Sequence, residues 1–255
     1  MPEIYDRCLG PAVFEPYARH VAPLVAELAP TSLLELAAGT GIVTRELVHA
    51  IPDAVITATD LNPAMVEWAG ARVPEARWQV ADAQDLSFPD ATFDAVVCQF
   101  GAMFLPDRPH AFGEVARVLK PGGTFLFTAW DGLQYSELPA LFQQAVARAV
   151  DGPEPDFLPR IPHGYADPDR IRDDVSAGGL DLASLERVVL RGRAASAAHL
   201  AEGFCCGTPL RFQLAEAGDP MQIAERVGAD LTSQLGSGPV EGELAAFVVA
   251  ARRPG

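Results

Sequence analysis

The sequence predicts an α/β fold in which a mostly parallel sheet carries helices on both faces. Short apolar runs alternate with amphipathic segments, which is typical of strand–helix–strand units. A glycine-rich turn, Gly39-Thr40-Gly41, joins the first apolar run to the amphipathic segment after it. The 255 residues, 49% of them hydrophobic, are enough to build one sizeable core.

The first strand and helix are predicted over residues 32–36 and 42–50. Gly39 and Gly41 lack a Cβ, so the backbone between the two elements can bend sharply and a ligand can approach it closely. The helix would direct unpaired N–H groups and its positive dipole end over the turn. Glu35, at the end of the strand, adds a carboxylate suited to a cationic amine and poorly suited to a pyrophosphate.

A second strand over residues 54–59 leads to Asp60, 19 residues after Gly41. An acidic residue at about this distance is how such sheets bind ribose hydroxyls. Asn62 can cap a helix and Pro63 suits its first position, which predicts a helix running to about residue 71. Leu61 and Met65 would flank the base attached to that ribose.

Three further strands complete the central sheet. They are predicted at residues 78–80, 93–100 and 123–129. Asp82 and Ala83 follow the first of these strands, and Gln99 lies near the end of the second. Ligands of parallel sheets bind at the carboxyl ends of the strands. Asp82, Gln99 and the turn at Gly39 are therefore expected to face one crevice.

With these motifs in order, the chain resembles the class I S-adenosylmethionine-dependent methyltransferases of the small-molecule type, whose glycine motif reads Glu-x-x-x-Gly-Thr-Gly. The matched motifs cover residues 30–130 and include the Leu-Lys-Pro-Gly-Gly turn at 119–123. The resemblance implies a Rossmann-like, seven-stranded sheet with an antiparallel last strand and a helical lid. It implies S-adenosylmethionine as cofactor and a small molecule as methyl acceptor. The implied cofactor residues are Tyr17, Glu35, Ala37, Gly39, Thr40, Gly41, Asp60, Leu61, Met65, Asp82, Ala83, Gln99 and Phe100.

Within that set, the resemblance assigns a separate role to each motif. Glu35 and the glycine turn hold the methionyl portion, and Asp60 binds the ribose hydroxyls. Leu61 packs on the adenine, Asp82 and Ala83 meet its amino edge, and Gln99 lies beneath the sulfonium arm. Ala37 departs from the pattern, which most often has glycine there, and an ordinary negative φ is expected at this alanine because a left-handed one would cost about 1–2 kcal/mol.

Each motif also has a purely structural interpretation. Gly39 and Gly41 would serve any strand-to-helix turn, Asp60 any helix cap, and Asp82 any tight turn. The order and spacing of all the motifs together favour the cofactor site.

Outside the core, the sequence predicts an amphipathic helix over residues 13–28 and helices at 137–150, 169–177, 197–206 and 220–235. Strands at 184–190 and 244–250 would complete the sheet as an antiparallel pair. The predicted organisation is N-terminal lid helices at 1–29, the cofactor-binding core at 30–132, a lid segment at 133–167, a core helix and strand at 168–193, a helical lid insertion at 194–240 and the last core strand at 241–255.

The implied reaction is direct displacement of a methyl group, for which alignment and exclusion of water suffice unless the acceptor must lose a proton. His163, in a proline-rich loop, is the first candidate for a general base and His20 the second. No metal is predicted, and Cys8, Cys98, Cys205 and Cys206 are interpreted as buried thiols because they lack metal-ligand spacing. The acceptor atom, whether oxygen, nitrogen, carbon or sulfur, stays open.

The formal net charge of −15 argues against nucleic acids and anionic membranes as partners. With no export or membrane segment recognised, a cytoplasmic location is expected. Oligomeric state is not predicted. Two alternatives stay open: a non-catalytic cofactor-binding protein and a nicotinamide-dependent dehydrogenase. The dehydrogenase would need a Tyr-x-x-x-Lys pair, and the single lysine of the chain, Lys120, does not form one.

Overall fold

The computed structural model describes all 255 residues and contains one seven-stranded sheet. The strands are β1 (Ser32–Glu35), β2 (Val55–Asp60), β3 (Arg77–Val80), β4 (Phe93–Gln99), β5 (Leu119–Trp130), β6 (Asp181–Ala194) and β7 (Val240–Arg252). Their order across the sheet is β3-β2-β1-β4-β5-β7-β6. Strands β1 to β5 pair in parallel, whereas β7 runs antiparallel to β5. The predicted fold class is confirmed.

Eleven α-helices connect these strands. They are α1 (Pro2–Ile4), α2 (Glu15–Glu27), α3 (Ile42–Ala50), α4 (Pro63–Gly70), α5 (Arg108–Val118), α6 (Glu137–Ala149), α7 (Phe157–Arg160), α8 (Pro168–Ala177), α9 (Ala197–Gly207), α10 (Leu210–Ala217) and α11 (Pro220–Leu235). None of them combines the length and the apolar composition that crossing a membrane requires.

The helix starts follow local chemistry that the sequence already displays. Asn62 caps α4 through its Oδ1, which accepts a hydrogen bond from the N–H of Ala64 at 3.0 Å, and Pro63 occupies the first position. Asp219 caps α11 in the same way through the N–H of Met221. Helix α3 begins and ends at the predicted residues.

Several segments differ from the prediction: α7 and α10 were not predicted, and β6 and β7 extend beyond the predicted 184–190 and 244–250. A π-helix over Tyr5–Phe14 precedes α2, where no helix was predicted before residue 13; it contains Pro11, which lacks the N–H that a regular α-helical bond would use. Strand β5 begins at Leu119 rather than at residue 123. Leu119 pairs with Phe93, and a register shift after that pair accommodates Gly122 at a φ of 76°.

The chain divides into two compact units. The first comprises residues 1–17, 131–164 and 189–245, and the second comprises residues 18–130, 165–188 and 246–255. The second unit contains β1 to β5 and a cluster of Phe112, Phe125 and Phe127, whose ring centroids are 4.9–5.3 Å apart. The first unit is mainly helical, and Phe142 of α6 packs there on Phe204 of α9 at 4.6 Å.

Asp94 fixes the amino-terminal ends of the central strands in the second unit. Its Oδ2 accepts hydrogen bonds from the N–H and hydroxyl groups of both Thr31 and Ser32, at 2.7–3.0 Å. Its Oδ1 lies 2.7 Å from Nζ of Lys120. The only lysine of the chain therefore has a structural partner at the end of the sheet opposite to the one where parallel strands bind ligands.

Candidate functional site

Three polar residues end the three central strands of the sheet. Strand β1 pairs with β2 on one side and β4 on the other, with Glu35 opposite Ala58 and Val97. Glu35 and Asp60 therefore end adjacent strands, and Gln99 ends the strand on the other side of β1. The structure brings together these predicted residues at one edge of the second unit, as expected for a parallel sheet.

The turn after β1 is held in a left-handed conformation at three positions. Ala37, Gly39 and Gly41 have φ values of 51°, 57° and 81°. The negative φ expected at Ala37 is wrong. The N–H of Ala38 donates to the carbonyl of Thr59 on β2 at 2.9 Å, so the chain must turn at Ala37 to reach that neighbouring strand.

A glycine that follows strand β4, Gly101, makes room for the Ala37 side chain. A Cβ placed on Gly101 would lie only 2.5 Å from the Cβ of Ala37. The absence of a side chain at Gly101, after β4, therefore lets an alanine occupy the turn. Sequence reasoning missed Gly101 because it lies 64 residues from Ala37 and belongs to no recognised motif.

Glu35 is a buried carboxyl group with an unused oxygen. Its side chain is 1% exposed, and Oε2 has no hydrogen-bond partner. Burial raises the pKa of Glu35 to about 8, the nearby Thr44 hydroxyl acts in the opposite direction, and the charge of Asp60 adds to the rise. The Oγ1 of Thr40, in the following turn, is also buried and unbonded. An unsatisfied carboxyl at this position fits a ligand that brings a hydrogen-bonding cation.

Asp60 connects the glycine turn to the end of β2. Its Oδ2 accepts the N–H of Gly39 and its Oδ1 accepts the N–H of Asn62, both at 2.8 Å. Burial raises the pKa of Asp60, whereas these two bonds act in the opposite direction. Each carboxylate oxygen retains a second lone pair that can accept a ligand hydroxyl. The geometry fits the ribose-binding role that the resemblance implies.

The residues expected around the adenine present an apolar surface beside a polar turn. Leu61 is 66% exposed, which is unusual for a leucine, whereas Met65 is buried. Asp82 accepts the N–H of Gln84 through Oδ1 at 2.9 Å and so stabilises the turn that holds Ala83. Asp60 pairs with Val80, so Leu61 and the turn at Asp82 follow the ends of adjacent strands, and an exposed leucine there suits one face of a planar base.

At the end of β4, Gln99 is half-buried and Phe100 has a φ of 56°. The N–H of Phe100 donates to Oγ1 of Thr128 at 3.0 Å. Its ring stacks on Trp130 with centroids 3.7 Å apart and planes 5° apart. Trp130 was not predicted, although two aromatic residues at the ends of adjacent strands were a visible signal.

Three predicted site residues, Tyr17, His20 and His163, lie outside the strand ends that carry Glu35, Asp60 and Gln99. Tyr17 and His163 belong to the first unit and His20 to α2 in the second unit. The Tyr17 hydroxyl donates to the carbonyl of Leu244 at 2.8 Å, and Nδ1 of His163 lies 2.7 Å from the carbonyl oxygen of Asp131. Their roles in binding or catalysis stay predictions.

Comparison with known proteins agrees with this arrangement. Residues 34–127 match a family model described as "Methyltransferase domain". The chain is 30% identical over 190 residues to a demethylmenaquinone methyltransferase of Deinococcus radiodurans, covering 69% of this chain and 79% of that protein. It is 40% identical over 111 residues to the demethylmenaquinone methyltransferase of Thermus thermophilus, covering 42% of this chain and 50% of that protein, so this match spans half of the relative's length.

The likeness in three dimensions extends over nearly the whole chain. A methyltransferase structure from Bacillus halodurans superposes with a TM-score of 0.61 at 17% identity. The superposition covers 93% of this chain and 99% of that one. At this identity it shows a shared fold, in agreement with the strand order described above.

Proposed function

The chain belongs to the class I S-adenosylmethionine-dependent methyltransferases, and from that premise we propose that it binds S-adenosylmethionine and transfers the methyl group to a small-molecule acceptor by direct displacement. The observation that carries this proposal is the buried, unsatisfied carboxyl of Glu35 beside the left-handed glycine turn. A ligand with a cationic amine would supply the missing partner.

The residues of the second unit divide the binding among them. Glu35 would accept the ammonium group of the methionyl portion, and Asp60 the ribose hydroxyls. Leu61 and Met65 would contact the base, and the turn at Asp82 its amino edge. The cofactor, when bound, supplies a methyl group already activated on a sulfonium.

Because that leaving group is activated, we propose that the chain contributes alignment and exclusion of water more than acid–base chemistry. The buried His163 suits this view. Burial lowers its pKa to about 4, and Nδ1 makes a close contact with a backbone carbonyl. The ring is therefore neutral at pH 7, and a proton placed on Nε2 would be poorly held. A general base at His163 or His20 remains a prediction for acceptors that must be deprotonated.

For the acceptor, we propose a small, largely apolar or aromatic molecule. The relatives from Deinococcus and Thermus carry the name demethylmenaquinone methyltransferase, so demethylated quinones are the first compounds to test. The net charge of −15 supports an acceptor without a phosphate-rich backbone.

Calorimetric titration with S-adenosylhomocysteine tests the cofactor directly, because this product cannot be turned over. We expect one molecule bound per chain, and binding lost in Asp60→Ala. Asp53→Ala removes an exposed carboxylate of the same unit and should bind as the original chain does. Saturation at 100 times the dissociation constant should also add about 2.7 kcal/mol to the free energy of unfolding.

Two results would contradict the proposal. One is the absence of binding, and the other is preferential binding of NAD. Methyl transfer to quinones and other aromatic acceptors can be measured by mass spectrometry. If the cofactor product binds but no acceptor is methylated, the non-catalytic alternative is favoured instead.

A further inference from the structure

A second polar cluster lies in the first unit. It joins Cys8 of the N-terminal π-helix to His199 and Glu202 of α9. The Sγ of Cys8, a ring nitrogen of His199 and a carboxylate oxygen of Glu202 all lie within 4.8 Å of one another. The sequence does not reveal this set, because Glu202 lies 194 residues after Cys8.

Local structure explains why the three side chains converge. His199 and Glu202 are three residues apart on α9 and so share one helix face. The π-helix approaches α9 closely because Gly203 has no side chain; a Cβ there would lie 2.8 Å from the Cβ of Cys8. The cluster is thus formed by two elements packed tightly together.

Arg7 currently provides the positive charge of this cluster. Its Nη1 lies 2.7 Å from Nε2 of His199, and its Nη2 donates to Oε1 of Glu202 at 2.7 Å. The Sγ of Cys8 donates to Oε2 of the same carboxylate at 3.8 Å. Arg7 is 45% exposed, so its long side chain can leave for solvent without opening the core.

The donor set is that of a transition-metal site. Thiolate, imidazole and carboxylate are the ligands that zinc uses, at about 2.0–2.3 Å from the ion. Ligand atoms at those distances from one ion lie within about 4 Å of one another. Small side-chain rotations would therefore bring the three ligand atoms to binding distance of a single ion. One thiolate and one carboxylate also balance the two charges of the ion, which would replace Arg7 and the thiol proton.

We propose that Cys8, His199 and Glu202 form a binding site for a divalent transition-metal ion of the zinc type, in competition with the Arg7 side chain. The ion would tie the N-terminal π-helix to α9. The thiol of Cys8 loses its proton to solvent when the sulfur–metal bond forms, so binding strengthens as pH rises.

Titration of the full chain with Co²⁺, in the presence of a reductant without thiols, tests the site. We expect thiolate-to-cobalt charge-transfer absorption that saturates at one ion per chain and disappears when Zn²⁺ is added. Cys8→Ser should abolish the absorption. His199→Gln should weaken Zn²⁺ binding more than about 100-fold, because even groups that only orient metal ligands contribute 10–100-fold.

Two further variants separate binding from structure. Arg7→Ala should strengthen Zn²⁺ binding, since it removes the competing cation, whereas a purely structural cluster would merely lose stability. Cys205→Ser, on the same helix but outside the set, is the matched control and should keep the absorption. Circular dichroism with a chelator establishes that each variant folds. No charge-transfer absorption in the original chain, or the same absorption in Cys8→Ser, would overturn the proposal.

Discussion

The two compact units differ in how their buried polar groups are bonded. In the first unit, the Tyr17 hydroxyl donates to Leu244, and the His163 ring lies against the Asp131 carbonyl oxygen. That unit has one buried side-chain oxygen without a bond, the Oε1 of Gln143, whereas in the second unit the Oε2 of Glu35 and the Oγ1 of Thr40, which lie at the end of β1 and in the turn after it, are both buried without a bond. Unbonded buried oxygens cost stability, and two of them together at the carboxyl end of a parallel strand, where such sheets bind ligands, fit a place that a ligand completes.

The largest effect on ligand affinity is expected from Glu35→Gln, which tests whether the buried carboxyl of the second unit binds the ligand. The amide keeps the size of the side chain but cannot pair as an anion with an ammonium group. We expect the affinity for S-adenosylhomocysteine to fall roughly 30- to 5,000-fold, corresponding to the 2–5 kcal/mol of a truncated buried charge pair. Calorimetry measures the loss, and Asp53→Asn at an exposed position is the control.

An unchanged affinity in Glu35→Gln would show that the buried carboxyl is a structural feature only. The unbonded oxygens of the second unit would then not identify the ligand-binding site.

A pH dependence sharpens the same comparison. Without ligand, Glu35 has a pKa of about 8 and is protonated at pH 7, so it must release a proton to pair with an ammonium group. We expect affinity to rise by up to about tenfold per pH unit from pH 6 to 8 and to level off above. Titration in buffers of different ionisation enthalpy should detect the released proton, and Glu35→Gln should remove the slope.

The stability of the ligand-free chain should change with pH in the opposite direction. Between the ordinary pKa of 4.5 and the folded value of about 8, Glu35 holds a proton in the folded state that it has lost in the unfolded state. The Glu35 contribution to the free energy of unfolding therefore falls as pH rises through this window. Denaturant unfolding at pH 6 and pH 8.5 should show a drop that is absent in Glu35→Gln.

A smaller effect is expected from Tyr17→Phe in the first unit. The hydroxyl of Tyr17 is already bonded to Leu244, so its loss should lower the free energy of unfolding by about 0.5–1.5 kcal/mol. Affinity for S-adenosylhomocysteine should stay the same. If calorimetry finds more than a tenfold loss of affinity, Tyr17 has the cofactor-binding role that the resemblance implies.

The smallest effect is expected from Ala37→Gly. Glycine removes the strain of a φ of 51°, about 1–2 kcal/mol, but the unfolded chain regains about 0.4–1 kcal/mol of entropy. The net gain should lie between about 0 and 1.6 kcal/mol in denaturant unfolding. Ala29→Gly, at an exposed position with a φ of 47°, is the matched comparison. A loss of stability at Ala37 alone would mean that its Cβ packing against Gly101 outweighs the strain.

Much of the second unit could be read from the sequence because its signals are local. The strand before Glu35, the helix from Ile42 to Ala50 and the cap at Asn62 depend on neighbouring residues, and the structure confirms them. Parallel pairing then places the strand ends together without further information. Glu35, Asp60 and Gln99 could thus be placed at one edge before any coordinates were known.

What only the tertiary structure decided are contacts between distant segments. The left-handed turn at Ala37 depends on the bond from Ala38 to Thr59 and on the empty space at Gly101, neither of which has a local signal. The unsatisfied oxygen of Glu35 depends on what surrounds it. The cluster of Cys8, His199 and Glu202 depends on packing between segments as far as 194 residues apart in the chain. A sequence carries periodicity and caps along the chain, whereas burial and bond partners arise from which segments pack together.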